Sequence, residues 1–400
     1  MVCCIGRLPW RLALFALACH LAVSGPAASS GTASFTVPIV ISTSGLAGSF
    51  YTSELSLTNR GTTAATVRFT YSAAFGGGGG SATDSLPAGR QKTVPDAIQY
   101  LISIGTPIPS SGNRGGVLRV DFAGLSSSDA GAATVRTTTA VSNGRAGLSY
   151  PAFGAGIGGA AYLCGLRQDG TDRSNVALLN AGGTGAGDIV LRLTAFSGDP
   201  GAPVSRVLPD LTLAPGAFTQ YTEILKGVGL DRGYVRVDRI SGTAPYYAYA
   251  TILDQTTSDG SFVPPLTEDA AYEATGLTLP VVVETSTFST EIVVCNVSSA
   301  TQTVRLAYVA DAVQVPDSTA AVSITLAARE QRVIPAFVQY LRSQGVPGVG
   351  ASGPTFAGAL YLTVTGAETG GIFLGGRTQT SGSGGRYGLF YTAVSHGTAV

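Results

Sequence analysis

The amino-acid sequence predicts an all-β protein of three tandem β-sandwich modules, each carrying one short helix. Three observations carry that prediction. First, 44% of the 400 residues are hydrophobic and only 12% charged, with 54 glycines and 20 prolines. Charged residues thus stand at about half the ~25% usual for soluble proteins. Few charges, many small residues and short periodic apolar runs suit a secreted all-β chain and disfavour disorder. Second, the chain repeats itself. Strands ending in Asn59, Asn180 and Asn296 recur at a period of roughly 120 residues, the size of a small domain and far longer than a solenoid repeat. Third, each period holds about seven short strands separated by turn residues.

The first 30 residues read as a leader. Arg7 and Arg11 flank the start of an apolar run that continues to Val23, and small residues fill Ser24 to Ser30. These are the three parts of a secretory signal peptide. The run is shorter than the ~20 residues a transmembrane helix needs. An uncleaved anchor, or a lipoprotein signal at Cys19, is the alternative. Residues 31–155, 156–270 and 271–400 then form modules one, two and three, with no membrane span left after cleavage.

Within each module the elements follow one order. The second strand is Glu54–Asn59, Asn175–Asn180 or Glu291–Asn296, whose alternation turns Leu55/Leu57, Val176/Leu178 and Ile292/Val294 to one face. The closing asparagine suits a turn, because it tolerates left-handed backbone and its side chain can bond nearby peptide groups. The third strand places Arg68, Arg192 and Arg305 at one equivalent position. They read as outward side chains that keep a strand face wet; a repeated ligand contact is the alternative.

A helix-like segment follows. Leu86–Leu101 aligns without gaps on Leu326–Leu341, and Pro95 and Pro335 suit a first helical turn. Ala97/Ile98/Leu101 and Phe337/Val338/Leu341 make apolar stripes, and Gly105 and Gly345 are natural stops. The helix should cap an open end of each sandwich. Inward Leu118/Val120, Val235/Val237 and Leu360/Leu362 mark the next strand, and two more strands complete the module. The short Gly/Ala-rich junction Phe153–Ala160 and the junction Pro264–Gly276 imply a semi-rigid string. Gly76–Gly80 reads as a flexible insertion.

This outline resembles tandem immunoglobulin-like repeat domains of exported bacterial proteins. It is clearest at Leu57–Gly61, Leu213–Gly216 and Gly233–Val237, and it covers nearly all of residues 36–394. The third repeat departs from it, with Ala327-Ala328-Arg329 where Pro-Gly is expected. The resemblance implies fold and export, and no catalytic residues.

The residue inventory narrows the chemistry. With 24 basic and 24 acidic residues and no Lys/Arg cluster, nucleic acid is not an expected partner. After the leader, one histidine remains, His396, close to the C-terminus, so neither a Ser-His-Asp nor a Cys-His arrangement is expected. One histidine and two distant cysteines do not make a zinc site. Asp169/Asp172, Asp254/Asp259 and Glu268/Asp269 lack calcium-loop spacing. Gly154–Gly159 reads as linker, so no cofactor is expected. Cys164 and Cys295 lie in different modules and read as two independent thiols, an inter-module bond being the alternative.

Aromatic residues on the late strands offer the best binding candidates. Alternation sets Tyr247 and Tyr249 on one face and Tyr246 on the other. They are candidates for a sugar or peptide platform, with core packing as the competing role. The expectation is therefore a non-catalytic, exported cell-surface or extracellular structural or adhesive protein with a protein or polysaccharide partner. Its rival is a carbohydrate- or peptide-binding protein with a pocket in one module, using Tyr247, Tyr249, Arg68, Arg192 or Arg305. A carboxylate-only hydrolase is the third class.

Overall fold

The computed structural model describes residues 31–45, 48–142, 144–183, 185–311, 319–349, 355–365, 370–382 and 384–396. The leader reading, on residues 1–30, lies outside the described residues. The chain is all-β, and its pairings are antiparallel.

The first set of strands is β1 (Gly31–Ser44), β2 (Phe50–Asn59), β3 (Ala65–Phe75), β4 (Gly79–Leu86), β5 (Arg90–Val94), β6 (Arg114–Leu125), β7 (Gly131–Val141) and β8 (Gly144–Pro151). Helix α1 (Ala97–Ser103) lies between β5 and β6. The second set is β9 (Ala161–Arg167), β10 (Asp172–Asn180), β11 (Ile189–Phe196), β12 (Ser205–Val207), β13 (Leu211–Leu213), β14 (Phe218–Tyr221), β15 (Arg232–Ser241), β16 (Tyr246–Asp254), β17 (Gly260–Val263) and β18 (Leu266–Thr267). After α2 (Glu268–Glu273) come β19 (Gly276–Glu284), β20 (Phe288–Asn296), β21 (Gln302–Ala310), β22 (Thr319–Leu326), β23 (Gln331–Ile334), α3 (Phe337–Ser343), β24 (Phe356–Val364), β25 (Ile372–Gly382), β26 (Gly385–Thr392) and β27 (Val394–Ser395).

Among the described residues, strand pairing never crosses between these three sets. In the first, β4-β3-β6-β1 forms one layer, and the end of β1 passes to β2-β7-β8. The third set repeats this as β22-β21-β24-β19 and β20-β25-β26. The passage occurs at a register shift, between Val37 and Val40 and again between Leu279 and Val282. Pro38 and Pro280 sit inside these shifts, where a residue without an N–H is tolerated. The Tyr150 and Tyr391 hydroxyls donate to the bulge carbonyls of Ile39 and Val281. In the second set Cys164-Gly165 takes the place of that proline, and the layers stay separate as β14-β10-β16-β17 and β12-β11-β15-β9-β18.

Alternation predicts the interior correctly. Leu55, Leu57, Val176, Leu178, Ile292 and Val294 are buried, as are Leu118, Val120, Val235, Val237, Leu360 and Leu362. The three asparagines are also fully buried. Asn59 Nδ2 donates to the carbonyls of Thr63 and Leu86, while its Oδ1 accepts from Gly61 N–H. Asn180 and Asn296 repeat this clamp. Each amide thus ties the end of the second strand to the end of the fourth, which explains its recurrence better than turn propensity alone.

Three local expectations change. Pro95 stands one residue outside the helix cap instead of in the first turn, because Asp96 is the N-cap and accepts from Gln99 N–H. Pro335 likewise precedes the cap, Ala336. Module two has no α-helix at the matching place: a turn over 222–225 and a 3-10 turn, Lys226–Val228, bring Ile224 and Leu225 inward instead. The Gly76–Gly80 run is a tight connection of β3 to β4. Gly76, Gly77, Gly78 and Gly80 have positive φ, and a Cβ on Gly76 would lie 2.1 Å from the Asn113 carbonyl oxygen.

The modules are not beads on a string. One apolar core runs through modules one and two and takes in Val293, Cys295, Phe373 and Phe390 of module three. A second core fills the rest of module three. The junction segments are held as well: Phe153 bridges to Thr36, and Ile157 to Tyr246.

Candidate binding groove and the module junctions

Both junctions use the same parts. The outer face of the second strand of one module, with its neighbours, lies against the first and last strands of the module before it. Equivalent positions are fixed by a recurring bond in which Ile41, Arg167 and Val283 N–H donate to the hydroxyls of Ser53, Ser174 and Thr290. Asn175 and Glu291 therefore correspond, and so do their cross-strand partners Thr251 and Arg377.

The junction of modules two and three is ionic and closed. Arg167 grips Glu291 through two bonds, 2.6 Å and 3.0 Å long. Burial opposes the Arg167 charge, and Glu291 more than offsets it, leaving the guanidinium above its ordinary pKa. Asp172, fully buried, meets Arg386 at 2.6 Å, Arg377 at 3.4 Å and Arg167 at 3.7 Å. Asp254 accepts from Arg386 N–H, and burial acting against its charge is outweighed by the backbone donors of Thr257, Arg386 and Thr256, so its pKa is lowered. Gln331 spans the joint, donating to Gly233 carbonyl and accepting from Gly165 N–H. Gly165 has φ +83°, and a Cβ there would sit 3.4 Å from Val293 of module three. Glycine lets β9 turn its backbone to that neighbour.

Cys164 and Cys295 meet in this joint. Both are buried and free, and burial, with the neighbouring Cys164 thiol adding to it, holds the Cys295 thiol well above its ordinary pKa. They stay unbonded, as the sequence leads one to expect, although they come from different modules and meet here. Asp259, at the start of β17, accepts from Gly388 N–H at 2.8 Å and Gly147 N–H at 3.4 Å. One carboxylate of module two thus reaches both neighbours; burial raises its pKa despite these donors.

The junction of modules one and two is aromatic. Tyr247 stacks on Phe153 with ring centroids 3.9 Å apart, and Tyr249 packs with Tyr150 and Phe262. Tyr247 and Tyr249 are therefore buried between modules rather than displayed as a platform. Tyr246 faces the module-two interior, its hydroxyl donating to Val237 carbonyl. Such stacking adds about 0.5–1.5 kcal/mol per pair beyond the area buried.

Beside this stack the joint opens into a groove of about 520 Å³. Module one supplies Ile41, Tyr51 and Leu148, and module two Arg173, Tyr249 and Leu253. Arg173 is only 9% exposed, and its side chain has no hydrogen bond or ion pair among the described residues. The sequence reading missed this residue, whose signal was a charge at a strand position where the sister modules carry Thr52 and Ser289.

The repeated arginines stay apart from the groove. Arg68 and Arg305 are exposed, and Arg192 pairs with Asp210 on the surface. Glu268 takes a bond from the Tyr162 hydroxyl and lies 3.4 Å from Arg236. His396 is tied to β19, its N–H donating to Gly276 carbonyl. No group of three or more His, Cys, Asp or Glu placed to hold a metal occurs among the described residues. Among them, too, no helix is long and apolar enough to cross a membrane. Comparison with protein-family models, curated proteins and solved structures finds no match.

Proposed function

We propose that the chain is an exported, non-catalytic structural or adhesive element of the cell surface or extracellular space, built from immunoglobulin-like modules. The observation that carries this reading is the way the modules are joined. Asp259 bonds backbone of both neighbours, and the joint of modules two and three buries Arg167 and Arg377, and sets the half-buried Arg386, against Asp172 and Glu291. Domains joined by ordinary linkers move relative to one another by default. Joints of this kind suit a stiff spacer that presents its ends at a fixed distance. The leader pattern of residues 1–30 supplies the export part of the reading.

The test is expression of the full chain with its leader in a bacterial host. The expected product is a processed chain outside the inner membrane, starting between Ser24 and Ser30, whose solution scattering fits one rigid body. An unprocessed cytoplasmic product, or scattering that requires independently moving modules, would sink the proposal. The groove between modules one and two supports a second reading, a saccharide- or peptide-binding protein.

A further inference from the structure

We propose that the groove between modules one and two binds an acidic saccharide chain, with Arg173 holding a sugar carboxylate. This sharpens the ligand-binding reading and does not depend on the structural role. A buried guanidinium is costly unless paired, and buried charges in folded proteins are normally paired or bound to a ligand. Arg173 stands on β10, opposite Leu253, with its Nε buried and unpartnered. Glu223 feels Arg173 electrostatically, yet its carboxylate already accepts from Gln168 and Lys226. The other guanidinium nitrogens of Arg173 make no bond within the described chain, although the residue lines the groove. An anion is the missing partner, and a planar carboxylate matches the guanidinium fork.

The walls choose among anions. Asn175 Oδ1 accepts from Glu223 N–H, and its amide nitrogen makes no bond among the described residues. Gln220, Thr222 and Thr251 line the same groove with side chains that make no hydrogen bond among the described residues, a row of neutral donors and acceptors suited to sugar hydroxyls. Tyr51 and Leu148 offer apolar surface to the C–H face of a pyranose ring. A peptide adding as a strand would need unpaired backbone, but β10 and β16, the floor, pair with each other over their whole length, and the open edges of their sheet are the outer sides of β14 and β17. Recognition therefore falls to side chains, which favours a saccharide.

Calorimetric titration of the full chain with an oligogalacturonate tests the assignment, with its methyl ester as the neutral control. The expected result is saturable binding, weakened at least tenfold by esterification and at least tenfold by Arg173→Met. Tyr51→Ala, a half-buried rim change outside any ion pair, should weaken it too, and decides the matter if the arginine variant fails to fold. Three results would overturn the proposal. One is no saturable binding of galacturonate, glucuronate or mannuronate oligomers. Another is binding that survives both esterification and the variants. The last is equal capture of a peptide ending in a free carboxylate. None of these touches the export or rigidity tests above, so the two proposals fail separately.

Discussion

The two junctions are built from equivalent strands, yet one is closed by charge and the other by rings. At equivalent places modules two and three set Glu291 and Arg377 against Arg167 and Asp172, whereas modules one and two set Asn175 and Thr251 against Ile41 and Tyr51. Module one keeps the charged version, Glu54 opposite Arg136, on a face where Arg136 is exposed. One docking geometry therefore tolerates opposite chemistries, ion pairs at one joint and stacked rings at the other. Where Asn175 replaces a carboxylate, the joint opens and Arg173 is left without one.

The largest loss is expected at Asp172. Asp172→Ala removes the anion shared by three arginines and should cost about 3–5 kcal/mol, the usual loss when one partner of a buried pair is deleted. Denaturant unfolding would show it, and a loss below about 1 kcal/mol would mean that the ionic joint is not what holds modules two and three. Tyr247→Ala is the matching cut at the aromatic joint, expected at about 3 kcal/mol from lost burial and stacking. If only one of these variants loosens the chain in solution scattering, the two joints are not equivalent mechanically.

Arg173→Met carries the opposite sign. Removing an unpartnered buried charge should stabilise the unliganded chain by about 1 kcal/mol. A clear destabilisation would show that Arg173 has a partner after all and would erase the contrast between the joints.

The smallest effect is a control inside module one. Lys92 and the Tyr100 hydroxyl both bond Asp84, and these bonds hold its pKa down to about 2, against an ordinary 3.8. A folded value below the unfolded one contributes stability above pH ~4 that is lost as pH falls toward 2. The group is partly exposed, so the contribution should stay under about 1 kcal/mol. The difference between wild type and Asp84→Asn in acid unfolding measures it, and it should be unchanged in the Asp172→Ala background.

The interior of each module was legible in the sequence because period-2 alternation and the recurring asparagines are local signals. The helix stripes at Ala97/Ile98/Leu101 and Phe337/Val338/Leu341 were legible for the same reason. Module two broke that pattern, since Thr222–Leu225 turns instead of winding a helix. The joints were not legible. Arg167, Asp172, Glu291, Arg377 and Arg386 are brought together only by docking, across as many as 214 positions. Their trace in the sequence is indirect: Asn175/Thr251 departs from Glu54/Arg136 and Glu291/Arg377 at one register position. Tyr247 and Tyr249 posed a similar problem, because alternation assigns a face and cannot say that another module covers it.

Cys164 and Cys295 give the closed joint a clock. Reagents in solution reach those sulfurs only when modules two and three part, because both thiols are buried where the modules meet. When reclosing outpaces the chemistry, the rate of alkylation reports the fraction of time spent apart. When the chemistry is faster, the same rate reports how often the modules separate. The chain therefore carries its own timer for the separation of its last module, readable with two native atoms and no added label.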